Sequence, residues 1–80
     1  MLILGKLILK GENISVKNIR NLRMRKSMSQ SELAAAVGVS QGTVSLWENR
    51  DQMPNVETLR KLARILDCSF DELLGIQKAV

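Results

Sequence analysis

The sequence predicts an all-α fold, a compact bundle of five short helices, on two observations. Of the 80 residues 45% are apolar, yet Trp47 and Phe70 are the only aromatic ones, so aliphatic side chains have to fill the core. From Ser15 onward one kind of punctuation recurs, a capping residue followed by apolar positions at helical spacing. A chain of this length supports one domain and is too short for a catalytic domain with a ligand-binding domain beside it. The expected division is an N-terminal extension over 1–14, a helical domain over 15–75 and a tail over 76–80.

The extension begins MLILGKLILK, where Gly5 and Lys6 break the apolar run and no small-residue cleavage site follows. It is therefore not a signal peptide, and it falls well short of the ~20 apolar residues of a membrane span. Leu7, Ile8 and Leu9, bounded by lysines and by Gly11, Glu12 and Asn13, read as a short strand. Three placements are open to it: pairing across a dimer, tucking against the bundle, or a loosely held extension.

The first helix is expected from about Val16 to Arg25, with Ile19 and Leu22 inward and Ser27 ending it without the usual glycine. Ser29-Gln30-Ser31-Glu32 is a capping box that opens the second, whose apolar face is Leu33, Ala34 and Val37 and whose stop is Gly38. Ser40 caps the third, Gln41 to Asn49, in which Val44 and Trp47 stand three apart and share a side. Pro54 and Asn55 open the fourth, with Val56, Leu59, Leu62, Ala63 and Leu66 on its inner face. Ser69 to Glu72 is a second capping box, starting a fifth helix that points Phe70, Leu73 and Leu74 inward before Gly75.

Composition excludes several kinds of chemistry. The chain has one cysteine and no histidine, so the usual metal ligands and an intrachain disulfide are missing, and no metal or other cofactor is expected. Cys68, between Leu66 and Phe70, reads as a small buried hydrophobe in a protein of the reducing cytoplasm. No paired catalytic constellation or glycine-rich phosphate loop is present, so the chain does not read as an enzyme. The net charge of +4 is moderate. Lys17, Arg20, Arg23, Arg25 and Lys26 gather near the first helix, and a solvated face explains them as well as a phosphate-facing one does.

Position-specific sterics are more telling. Two helices that cross closely at a steep angle need a small residue at the crossing, a left-handed turn and an apolar plug beneath it. Ala34, Gly38 and Val39 meet those demands together, with Val44 and Trp47 packing the following helix from below. The segment QSELAAAVGVSQGTVSLWEN resembles the helix-turn-helix of the phage lambda repressor and Cro family, also called the xenobiotic response element family. The likeness extends from about Val16 to Leu74.

That resemblance implies a DNA-binding domain whose third helix enters the major groove. It places Gln30 against a phosphate and makes it brace Gln41, which reads a base; a glutamine amide offers the donor and acceptor that adenine N6 and N7 require. Gln41, Gly42, Ser45 and Leu46 are the expected base-facing residues, Leu46 suiting a thymine methyl group. Gly42 departs from the polar side chain common at its position; it costs ~1 kcal/mol of helix propensity and lets the backbone approach base edges. Gln30, Thr43, Asn49, Arg50, Gln52 and Asn55 match or neighbour backbone-gripping positions, aided by the helix N-termini at Gln30 and Val56. Arg50 stands where the family usually has glycine, which implies an altered turn. Arg23 and Glu48 match a partly buried structural ion pair, and removing either alone is expected to cost ~3–5 kcal/mol if burial is complete.

The expected activity is that of a small transcriptional regulator, a repressor that occludes promoter DNA as a homodimer on an inverted repeat. Two alternatives remain at this point: the DNA-binding antitoxin of a toxin–antitoxin pair, and a protein-interaction adaptor without DNA affinity.

Overall fold

The structure, a computed structural model, describes residues 14–76. Among these residues there are five α-helices: α1 (Ile19–Arg25), α2 (Gln30–Val37), α3 (Gln41–Arg50), α4 (Val56–Ile65) and α5 (Phe70–Leu73). No strand occurs among the described residues. The strand expected at Leu7 to Leu9 lies outside them, as do most of the proposed extension and tail.

Four of these five helices, α2 to α5, start where a side-chain cap dictates. Ser29 accepts from the Glu32 N–H while Glu32 accepts from the Ser29 N–H, and Ser69 and Glu72 repeat the exchange, so both capping boxes form. Ser40 and Asn55 cap α3 and α4 by accepting from the N–H groups of Thr43 and Thr58. The helix ends are less conventional. Gly38 and Gly75 take positive φ as their residue type allows, but Ser27, Asp51 and Asp67 also sit at φ 54–56°. At Ser27 and Asp67 the next N–H bonds back across the last turn, Met28 to Arg23 and Cys68 to Ala63.

Four expectations need correction. The chain at Val16 is held in a tight turn rather than an α-helix, with the Ile19 N–H bonded to the Val16 carbonyl and the Arg20 N–H to that of Lys17. The cause is an anchor from afar: the Asp51 carboxylate accepts from the Val16 N–H at 2.7 Å and from the Ser15 hydroxyl at 2.9 Å. Helix α3 runs one residue further than expected, so Arg50 is helical and the left-handed turn falls on Asp51. Val56 is 61% exposed, because it lies at the edge of the apolar stripe a turn ahead of Leu59. Phe70 is exposed too, since α5 is one turn long and Leu73 and Leu74 take its inward side.

The core is aliphatic around one indole. Val16, Ile19 and Leu22 meet Leu33, Ala34 and Val37 from α2, Val44 and Trp47 from α3, Leu59, Leu62 and Leu66 from around α4, and Leu73 from α5. Helices α2 and α3 make the closest pair, α5 packs on α4, and α4 lies against α2. Val39 and Cys68 are half-buried against this core. Burial, and then the neighbouring Glu72 carboxylate, push the Cys68 thiol up, which keeps it protonated and unreactive.

Candidate nucleic-acid interface

The outward face of α3 is positioned by the turn between α2 and α3. Gly38 adopts φ 93°, and its N–H and that of Val39 both bond the Ala34 carbonyl, at 2.8 and 2.9 Å. Ala34, nearly fully buried, lets the helices approach, and Val44 and Trp47 fill the space beneath α3. The opposite side of α3 is thereby turned outward. Gln41, Gly42, Leu46, Asn49 and Arg50 are exposed there and Ser45 is half-buried.

A continuous chain of polar side chains joins this face to the interior. Arg23 donates through Nε and Nη2 to the two Glu48 carboxylate oxygens at 2.8 and 3.1 Å, and through Nη1 to the Met28 carbonyl. Gln30 Nε2 donates to Glu48 Oε1 at 3.0 Å. Gln41 Nε2 in turn donates to Gln30 Oε1 at 3.3 Å, and the Ser31 hydroxyl donates to Gln41 Oε1 at 3.0 Å. Burial alone would raise the Glu48 carboxyl, but hydrogen bonds from Arg23 and Gln30 and the charges of Arg23 and Arg20 outweigh it and hold it below the usual range. The Arg23 guanidinium is raised, chiefly by its bond to Glu48.

The expected backbone-gripping residues fall into two groups. Thr43, Asn49 and Asn55 already have intramolecular partners: Thr43 Oγ1 meets Ser40 Oγ, Asn49 donates to Ser45 Oγ, and Asn55 Oδ1 caps α4. Each retains unused capacity, since an amide nitrogen carries two protons and a hydroxyl two lone pairs. Arg50 and Gln52 are exposed at the far end of α3, and Gln30 is half-buried at the start of α2.

Two residues of the arrangement escaped the sequence reading. Ser31 looks like any polar residue in the first turn of a helix, and its partner Gln41 is ten residues away. Asp51 follows α3 with no local signal of its role, its partners lying 35 and 36 residues earlier. Among the described residues no group of side chains could hold a metal ion, and no helix is long and apolar enough to cross a membrane.

Comparison with known proteins gives the same picture. A family model described as helix-turn-helix matches residues 19–73. Repressor protein C2 of Salmonella phage P22 is 40% identical over 58 residues, which is 72% of this chain and 27% of that protein. The cryptic phage CTXphi transcriptional repressor RstR of Vibrio cholerae is 36% identical over 57 residues, 71% of this chain and 51% of that one. The HTH-type transcriptional activator BcrR of Enterococcus faecalis is 30% identical over 64 residues, 80% of this chain and 31% of that one. The chain therefore spans between about a quarter and a half of the length of these relatives. The solution structure of the DNA-binding domain of the P22 C2 repressor superposes with a TM-score of 0.66 at 40% identity, covering 71% of this chain and 75% of that one.

Proposed function

Since the chain belongs to the helix-turn-helix family of lambda repressor and Cro-like domains, we propose that it binds specific double-stranded DNA sequences and regulates transcription as a repressor. The observation that carries this reading is the outward face of α3, where the exposed Gln41 is braced by Gln30 and backed by the buried Glu48. Helix α3 enters the major groove, with Gln41, Gly42, Ser45 and Leu46 toward the bases. Gln30, Thr43, Asn49, Arg50, Gln52 and Asn55 grip the flanking phosphates.

Gly42 supports the same view. A Cβ built there would meet only Ser40 Oγ, at 3.8 Å, so nothing in the fold demands glycine in the second position of α3. What the missing side chain spares lies outside the chain. The mechanism is occupancy of promoter DNA rather than catalysis, and it places the protein in the cytoplasm, where a free Cys68 is at home. One small domain covers too little DNA for strong discrimination, so two copies act on an inverted repeat with half-sites about one helical turn apart.

Selection of bound duplexes from a random library, run in parallel with wild type and Gln41→Ala, tests this. An enriched inverted repeat in which Gln41→Ala blurs one column per half-site is the expected result. Recovery of no motif at low salt, where non-specific phosphate contacts are strongest, would contradict sequence-specific regulation.

A further inference from the structure

We infer that Ser31 is a specificity-positioning residue: its hydroxyl holds the Gln41 amide in the orientation that the Glu48–Gln30 chain decides, and so fixes how that amide is presented to DNA. This rests on the reading of Gln41 as a base reader and assigns that reader its orientation. The two halves of a glutamine amide are nearly the same shape, so only hydrogen-bond partners decide which half faces which neighbour.

Here the decision starts inside the molecule. The Glu48 carboxylate only accepts, and Arg23 grips both its oxygens, so Gln30 has to turn its NH2 group toward it. Gln30 Oε1 then faces Gln41 and needs a donor, which Gln41 Nε2 supplies. That leaves Gln41 Oε1 on the other side, where the Ser31 hydroxyl donates to it. Turning the Gln41 amide over would oppose two carbonyl oxygens at Gln30; the Ser31 hydroxyl, which can donate or accept, tethers the amide in the orientation that Gln30 has set.

Each of the two Gln41 atoms keeps one unused valence, a proton on Nε2 and a lone pair on Oε1. With the amide fixed, the donor and the acceptor are offered to the groove in one order only. An adenine edge, N7 accepting and N6 donating, fits in one direction; a base pair showing the reverse order does not. Glu48 and Gln30 alone set the near side of the amide at 3.3 Å, a long bond, and Ser31 supplies the shorter one at 3.0 Å. Ser31 is exposed in the first turn of α2 and contributes nothing to the core.

The test competes four duplexes at equilibrium: the selected site and its three single-pair changes at the column that Gln41→Ala blurs. Wild type, Gln41→Ala, Ser31→Ala and Ser31→Thr are compared, with thermal unfolding of each. We expect Ser31→Ala to weaken the preference for the favoured pair by about three- to tenfold, the value of one hydrogen bond, with non-specific affinity and Tm unchanged. Ser31→Thr, which keeps the hydroxyl, restores the preference. If Ser31→Ala keeps the wild-type preference while Gln41→Ala erases it, the positioning role is overturned and the reading of Gln41 stands. A uniform loss of affinity across all four duplexes makes Ser31 a backbone contact and also overturns it. If Gln41→Ala blurs no column, both readings fall together.

Discussion

Gly42 separates what α3 needs for folding from what it offers to a partner. Its backbone is ordinary helix and its missing Cβ would make only an ordinary contact with Ser40 Oγ, at 3.8 Å. Glycine inside a helix costs ~1 kcal/mol relative to alanine, so Gly42→Ala is expected to raise the unfolding free energy by about that amount in urea titrations. The same variant is expected to bind the selected duplex more weakly; equal or tighter binding would remove Gly42 from the interface. The residues that face outward on α3 could be read from the sequence because Val44 and Trp47 claim the inward side of a 3.6-residue period. Ser31 could not, because its function is a contact between two helices that no spacing rule encodes.

At the level of the helices, the four capped starts were legible, and so were the ends at Arg25 and Gly38; the start of α1 and the end of α3 were not. N-caps are local: Ser29, Ser40, Asn55 and Ser69 each act on a residue three positions ahead, and all four form. Three ends depend instead on non-glycine residues at positive φ, where a side chain costs up to ~1–2 kcal/mol. Asp67 has little to offset that strain, its ion pair with Lys26 being exposed and 3.7 Å long. Asp67→Gly is therefore expected to stabilise the protein by roughly 0.5–1 kcal/mol. Asp51 shares the same φ, but its carboxylate holds Ser15 and Val16. Asp51→Gly should destabilise, by about 1 kcal/mol net of the relieved strain, and opposite signs for the two variants in one urea series are the check. The late start of α1 was hidden for the same reason, since its anchor comes from beyond α3. Val56 and Phe70 mislead because periodicity marks a face without saying how far the core extends along it.

Taken as a whole, the molecule is fastened by one buried charge. Glu48 on α3 is bonded to Arg23 on α1 and to Gln30 on α2, and its side chain is 1% exposed, against 12% for Arg23. Arg23→Ala strands the carboxylate and is expected to cost ~3–5 kcal/mol. The folded carboxyl lies below its unfolded value, so its stabilisation is full above the ordinary carboxylate range near pH ~4.3 and is lost as pH falls through the lower folded value. Urea unfolding followed from neutral pH into this acid range should show wild type losing stability, and Glu48→Gln, weaker at neutral pH, losing less. A wild type and variant with parallel acid profiles would mean that other carboxylates govern the transition. The pairing of Arg23 with Glu48 followed from family resemblance; the bond from Gln30 to the same carboxylate joins two helices and has no sequence signal.

The bonds from Asp51 to Ser15 and Val16 also bear on the order in which the chain assembles. Capping boxes close over three residues and can form while the rest of the chain is still open, whereas these bonds bridge 35 and 36 residues. They cannot exist until α1 and α3 have docked, and the entropy of closing that loop has to be met first. A contact completed this late is expected to be absent from the folding transition state, so in refolding and unfolding kinetics Asp51→Gly should leave the refolding rate alone and speed unfolding. On that expectation the carboxylate that follows α3 governs how long the folded state lasts rather than how quickly it is reached.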